Sequence, residues 1–213
     1  MTREELHKYI QISMLLGNID QETKSVEYNG LYFQEDSYGK IILTQCKGEY
    51  EFLNLGNLVD IIGPGVFYLN NTIRELESSS VTIIKNGAFA YSPLEKINAP
   101  LVEKVDKYAF AECKGLHRVS FPKLSHIGVG GFANCFQMKR FNFSAIEYID
   151  AFAFLNCYLI EEVHAPKLRH IDKNAFKGCS SIKTFKVGGI KNMGNLRRRV
   201  LLELRGAEIQ HKK

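Results

Sequence analysis

The sequence predicts a β-rich α/β solenoid of about six stacked units, because three features recur in register along its 213 residues. A small residue followed by Phe returns every 21 or 22 residues. A Cys stands three positions after most of these Phe residues, and two apolar columns follow at fixed distances. A unit of this length cannot bury its own apolar face, so its copies stack. The repeated aromatic residues are Phe67, Phe89, Phe110, Phe132, Phe154 and Phe176.

The chain before the repeat, residues 1–60, is predicted to form an N-terminal cap. Thr2 and Glu5 have the spacing of a capping box, which begins a short amphipathic helix that ends at Gly17. The alternative is a small separate domain with its own partner, although about 60 residues is close to the lower limit for a stable core. The residues that suit the helix are Leu6, Tyr9, Ile10, Ser13 and Met14.

Two hairpins are predicted between this helix and the repeat. Asn29-Gly30 lies at the centre of residues 26–33, and this dipeptide favours a primed two-residue turn. The stretches 41–43 and 50–53 flank Lys47-Gly48 and indicate a second pair of strands. Together with the helix, these strands would shield the first unit from solvent.

Each unit of the repeat, over residues 61–190, is predicted to contain a strand at its second apolar column. In the segment from Arg118 to Phe121, outward and inward side chains alternate, as they do in a sheet that is buried on one side. Neighbouring strands of such a stack lie ~4.8 Å apart. The glycine-rich segment 127–132 matches 62–67, so it is predicted to be a turn of the repeat and not a phosphate-binding loop.

The end of the chain, residues 191–213, is predicted to form a capping helix and a basic tail. The helix would run from Asn195 to Arg205, after Gly194. Its apolar residues would fall on one side and cover the last unit. They are Leu196, Val200, Leu201 and Leu204.

These units resemble the BspA-like leucine-rich repeats, whose pattern runs Ile-Gly-x-x-Ala-Phe-x-x-Cys-x-x-Leu-x-x-Ile-x-x-Pro. The departures lie at the ends of the repeat, where Asn70 replaces Cys and Gly188-Gly189 replaces Pro. Such decay is typical of terminal units. The resemblance implies a right-handed leucine-rich-repeat solenoid used for protein recognition, in a family that includes secreted and surface-exposed proteins.

Composition and charge bear on location and partners. The first twenty residues contain no apolar run of the kind found in signal peptides, and no stretch approaches the ~20 apolar residues of a membrane span. Together with five cysteines, this favours a cytoplasmic protein, or a secreted or surface-exposed one if a leader was removed. The net charge of +5 favours acidic partners weakly.

No residue is predicted to be catalytic, and neither a metal nor a cofactor is expected. The four cysteines of the repeat stand in one line, whereas a zinc site needs ligands that converge on one point. They are interpreted as small buried fillers: Cys113, Cys135, Cys157 and Cys179. His126 and His170 fall in one column but two units apart, at ~10 Å, so they cannot share a ligand.

The outward face of the predicted strands is the candidate binding surface. Basic residues stand before the second apolar column in three successive units, and like charges ~5 Å apart repel unless an acidic surface neutralises them. Flanking acids such as Glu95 are the alternative source of neutralisation. A protein partner, possessing an acidic surface, is therefore predicted to contact Lys96, Asn98, Arg118, Ser120, Arg140, Asn142 and His164.

Three other functions compete with this scaffold hypothesis. The first is an intracellular inhibitor or effector, of the kind carried by phages or mobile elements, that blocks its target by steric cover. The second is nucleic-acid binding through the basic row and the cluster of Arg197, Arg198 and Arg199. The third is an enzyme with its site in residues 1–60, for which no residue of that segment argues.

Overall fold

The fold comes from a computed structural model, which describes residues 1–17, 25–188 and 208–211. Helix α1 spans Arg3–Leu15, and the predicted capping box of Thr2 and Glu5 is confirmed. Leu6, Ile10 and Ser13 are buried against the first strands. Tyr9 and Met14 were expected on the same side, but 41% of each is exposed, so the buried stripe of the helix is narrower than predicted.

The first predicted hairpin is confirmed. Strand β1 (Val26–Tyr28) pairs antiparallel with β2 (Leu31–Glu35). The two turn residues have positive φ, 51° at Asn29 and 72° at Gly30, as a primed turn requires. Strand β3 (Ile41–Cys46) then pairs antiparallel with β2.

The second predicted hairpin is wrong. Strand β4 (Phe52–Asn54) does not pair with β3, although the chain between them is short. Instead, β3 runs parallel to β5 (Ile61–Ile62), and β4 runs parallel to β6 (Glu75–Glu77). The segment predicted as a cap thus supplies the first repeat-like strand of both sheets of the solenoid, because Leu43 of β3 lies opposite Ile62 and Leu53 of β4 lies opposite Leu76.

The two-residue strands at the third apolar column form one side of the solenoid, which we call the continuous sheet. It has nine strands, in the order β1-β2-β3-β5-β7-β9-β11-β12-β14. Its strands from β3 onward are parallel and in register from unit to unit. Those after β5 are β7 (Ile83–Ile84), β9 (Lys104–Val105), β11 (His126–Ile127), β12 (Tyr148–Ile149) and β14 (His170–Ile171).

The strands at the second apolar column form another side, which we call the broken sheet. One part has the order β10-β8-β6-β4, and the other has the order β13-β15-β16. Strand β16 (Glu208–His211) was not predicted, and it pairs parallel with β15. The remaining strands are β8 (Lys96–Asn98), β10 (Arg118–Ser120), β13 (Glu162–Ala165) and β15 (Thr184–Val187).

The six repeated Phe side chains stack in one buried row between these sides, as the repeat predicts. Ring centroids of successive Phe residues lie 4.8, 5.1, 5.0, 5.5 and 5.1 Å apart. Successive rings are within 10° of parallel, and each side chain is at most 1% exposed. Removing each such ring from water contributes ~1.5–3 kcal/mol, so this row stabilises the stack.

The cysteines of the repeat form a second buried row, as predicted. Their thiols also form hydrogen bonds, which the sequence did not predict. The thiol of each donates to the carbonyl of the Phe in the preceding unit, for example from Cys135 to Phe110 at 3.2 Å. The other three bonds measure 3.0–3.1 Å, from Cys113 to Phe89, Cys157 to Phe132 and Cys179 to Phe154. No disulfide joins any two of the five cysteines. Burial raises the pKa of Cys113 to about 12, so this thiol stays a protonated donor.

The glycine-rich segment 127–132 is a turn of the repeat, as predicted. Gly130 has a φ of 62°, and a Cβ there would lie 2.5 Å from the ring of Tyr108. Only glycine fits such a close approach without displacing its neighbour. No helix of the described residues is long and apolar enough to cross a membrane.

Candidate interaction surface

The first part of the broken sheet brings four of the predicted contact residues together. Lys96 lies opposite Arg118, and Asn98 lies opposite Ser120, in the parallel register of β8 and β10. The inward residues of the same strands belong to the core, which fixes the direction in which these four side chains point. The strand pattern therefore places two adjacent positions of the basic row as the sequence predicts.

Ion pairs divide the basic residues of this face into two groups. Lys96 pairs with Glu75 on the neighbouring strand at 2.5 Å. Glu95 pairs with Arg74 at 3.0 Å and not with the basic row, so of the flanking acids it is Glu75 that neutralises one member of the row, Lys96. Arg118 is exposed and has no ion pair with any residue in the described part of the chain. Within residues 1–17, 25–188 and 208–211, Arg118 is therefore a positive charge without a counterion.

The basic row does not continue through the fourth unit, which begins at Phe132. Residues 139–143 form no strand, so Arg140 and Asn142 lie outside the sheet that was predicted to include them. In an intact rung, the carbonyl of Glu95 accepts from the N–H groups of His117 and Arg118, at 3.0 and 3.2 Å. Over the described residues, the equivalent carbonyls of His117 and Lys139 accept no backbone bond. Two successive rungs of the ladder are open.

The side chains of the fourth unit account for this break. Its two inward positions hold Phe141 and Phe143, whereas the next unit has Val163 and Ala165 in their place. The ring of Phe141 lies 5.1 Å from the rings of both Phe132 and Phe154, at the step where the Phe row is widest. Interiors are close-packed, so two large rings at this position hold the backbone away from strand geometry.

An open groove of about 520 Å³ lies between the displaced segment and β13. It brings Arg140, Asn142 and His164 together, which are the other three predicted contact residues. Glu161, also in its wall, pairs with Lys139 and Lys183, each at 3.2 Å, and these hydrogen bonds lower the pKa of its carboxyl. The full lining is Lys139, Arg140, Phe141, Asn142, Phe143, Ser144, Glu161, Glu162 and His164.

The predicted secondary basic patch of Arg197, Arg198 and Arg199 lies outside the described residues, as does the predicted helix over 195–205. His126 and His170 flank Tyr148 in the register of the continuous sheet, two rungs apart as predicted. Each has an acidic neighbour that the sequence analysis missed, since Asp150 lies 3.2 Å from His126 and Asp172 lies 3.1 Å from His170.

An exposed aromatic cluster was also missed. Tyr68, Leu69 and Tyr91 are 53%, 61% and 54% exposed, and the two tyrosine rings meet edge to face at 6.0 Å. Leu69 and Tyr91 border an open cavity of about 520 Å³, whose lining includes Arg74 and Glu95. The available signal was an apolar residue directly after the buried Phe67, outside the repeating columns.

The chain matches the family model for the BspA type leucine rich repeat region in six copies. The matched residues are 36–101 and 82–197, which together make up more than half of the chain. No curated protein is similar enough in sequence to be matched.

Solved structures of bacterial repeat proteins share the fold. The leucine rich repeat protein of T. pallidum aligns with a TM-score of 0.67 and 18% identity, over 88% of this chain and 99% of that one. A leucine rich cell surface protein of Faecalibacterium prausnitzii has a TM-score of 0.55 and 17% identity, over 78% and 55%. The pneumococcal vaccine antigen PcpA has a TM-score of 0.59 and 16% identity, over 89% and 48%. The chain thus spans about half the length of the last two.

Proposed function

The chain belongs to the BspA-type leucine-rich-repeat family, and we propose that it is a non-enzymatic scaffold that binds a protein partner through the outward face of the broken sheet. Repeat solenoids generally act as binding scaffolds, because stacking yields an extended and regular surface. The contact residues we assign are Lys96, Asn98, Arg118, Ser120, Arg140, Asn142 and His164.

One observation carries the assignment. Arg118 and Arg140 are exposed in adjacent units, and neither forms an ion pair with another described residue. Four other basic residues of the same face have a carboxylate partner, namely Arg74, Lys96, Lys139 and Lys183, whereas Lys186 of β15 has none among the described residues. Charges that a fold leaves without counterions attract an acidic surface and orient it during encounter. An acidic protein surface is therefore the partner that this face fits best.

The test compares two double charge reversals with the same change in net charge. Partners captured from the native host with the unmodified chain are identified, and their affinities are measured for each variant. R118E/R140E should weaken binding by about a hundredfold or more, since each reversal replaces an attraction by a repulsion. K107E/K173E, at exposed lysines outside the broken sheet, should leave binding within about threefold. Both variants should keep the Tm of the parent, and undiminished capture by R118E/R140E would reject the surface.

Two more specific functions are alternatives to a general scaffold role. An inhibitor or effector role would need the identified partner to be an enzyme or receptor whose activity falls on binding. Nucleic-acid binding has less support, because the basic row has only two residues in register. It requires an affinity for duplex or single strands that falls steeply between 50 and 200 mM salt. Affinity that is flat across this range would reject it.

A cytoplasmic location stays a proposal as well. Cysteines that form no disulfide with one another favour a reducing compartment. The F. prausnitzii protein of similar fold is described as a cell surface protein, which favours the other location. Fractionation of the native host, with an antibody against the chain, decides between the two.

A further inference from the structure

We propose that the groove at the fourth unit binds an extended acidic peptide segment of the partner, which adds as a strand to the open edge of β13. This inference rests on the proposed scaffold function and specifies the partner's contact. It follows from the backbone groups that the break leaves open, from the space beside them and from the charge in the groove wall.

The N–H of Glu162 is the first open backbone group. At the equivalent position of other units, Lys96 donates to the carbonyl of Arg74 at 3.0 Å, and Thr184 donates to that of Glu161 at 3.5 Å. Glu162 would donate to Lys139, but no such bond forms, and its N–H has no backbone acceptor in the described segments. It faces the groove as a free donor.

The carbonyl of His164 is the second. In intact rungs, the carbonyl of Asn98 accepts from Ser78 at 2.9 Å, and the carbonyl of Ser120 accepts from Ala99 at 3.2 Å. The equivalent donor for His164 is Phe143, whose N–H forms no backbone bond with the described residues. The edge of β13 therefore presents a donor at one end and an acceptor at the other, spaced as an added strand requires.

The groove has the length for such a strand. β13 has four residues, and an extended chain rises ~3.3 Å per residue, so a segment of about four residues matches this edge. The groove is open to solvent along β13, where Glu162 and His164 are both exposed. Open sheet edges are sites of strand addition unless the fold covers or charges them.

The charged residues of the groove wall determine which peptide side chains bind there. Glu161 is already held by Lys139 and Lys183. Arg140 in the opposite wall has no counterion among the residues described, and Arg118 of the preceding unit adds a second free positive charge. An acidic side chain that points toward Arg140, and away from Glu162, satisfies the groove. A basic side chain at that position would be repelled by Arg140, which lines the groove.

The probes are two libraries of eight-residue peptides, random except for Glu or Lys fixed at the fourth position, screened against the full chain. The Glu library should yield binders and the Lys library none. Each binder is then added to ¹⁵N-labelled protein. The amide exchange of Glu162 should slow by about tenfold or more, since one new hydrogen bond corresponds to a change of that order. Two sets of peptides are N-methylated, one at odd and one at even positions. Only the set whose N–H groups face β13 should bind more weakly, by about tenfold.

Two variants of the chain distinguish binding through the backbone edge of β13 from binding through the side chain of Glu162. E162P removes the free N–H at the first residue of a strand, where proline is tolerated, and should abolish peptide binding. E162Q keeps the N–H and should bind at least as well as the parent. If E162P does not fold, the N-methyl peptides give the same discrimination.

Several outcomes would overturn the proposal. They are no binders from either library, equal numbers from both, insensitivity to N-methylation, or an amide of Glu162 that already exchanges slowly without peptide. If the partner captured in the charge-reversal experiment responds to R118E/R140E but not to E162P, the scaffold function stands and strand addition is wrong. A partner that binds R118E/R140E and E162P as tightly as it binds the parent would reject both the scaffold surface and strand addition.

Discussion

The continuous and broken sheets are built from the same units, yet only one of them crosses the fourth unit. In the continuous sheet, β12 pairs with β11 on one side and with β14 on the other. In the broken sheet, nothing within the described chain joins β10 to β13. The inward residues differ accordingly, since Ile127, Ile149 and Ile171 match in size, whereas Phe141 stands between Val119 and Val163. A single large ring is tolerated, since Phe185 of β15 lies opposite Val163 of β13 and the two strands pair. The fourth unit differs in carrying two inward rings, Phe141 and Phe143.

The Phe row should stabilise the contact between the third, fourth and fifth units, where the broken sheet is interrupted. Phe132 contacts Phe110 and Phe154 in the row, and Phe141 from the displaced segment. Phe132→Ala should lower the free energy of unfolding by ~3–5 kcal/mol, because it leaves a cavity at the widest step. Urea denaturation measures this change. The control is Phe67→Ala, whose ring stacks on one repeat Phe only, and which should cost less. An equal or smaller loss for Phe132→Ala would show that the row is not continuous there.

The thiol row also crosses the fourth unit intact, and its effect should appear at high pH. Burial raises the pKa of Cys113 from 9.0 to about 12, so the unfolded chain loses this proton at lower pH than the folded one. Stability from this thiol is therefore full below pH 9 and falls as pH rises from 9 toward 12, by at most about 1.4 kcal/mol per pH unit.

The free energy of unfolding, measured at pH 8 and pH 10.5, tests this sign. Cys113→Val should show a smaller decline over this interval than the parent, because valine has no proton to lose. Lys114→Ala, at the neighbouring exposed position, serves as the matched control and should decline as the parent does. A variant and parent with the same pH dependence would show that Cys113 ionises alike in both states.

The sequence was sufficient for the repeat, the buried rows and the first hairpin, because each depends on local spacing or on a column that recurs. It was insufficient for β3 and β4, whose pairing is decided by stacking against β5 and β6 and not by the turn between them. It was also insufficient for Arg140 and Asn142. Their columns are in register, but the volume of Phe141 and Phe143 moves them, and periodicity counts positions without weighing side-chain size.

A smaller side chain at position 141 should restore the missing strand of the fourth unit. Phe141→Val gives the fourth unit the inward residue of its neighbours, so residues 139–143 should join β10 and β13 in one sheet. Regained hydrogen bonds would offset part of the lost burial, so Phe141→Val should cost less stability than the Phe132→Ala change. The amide of Glu162 should exchange about tenfold more slowly once it donates to Lys139. Phe185→Val, in a unit that already pairs, is the control and should slow no amide. If Glu162 exchanges as fast in Phe141→Val as in the parent, ring size is not what separates the two parts of the broken sheet.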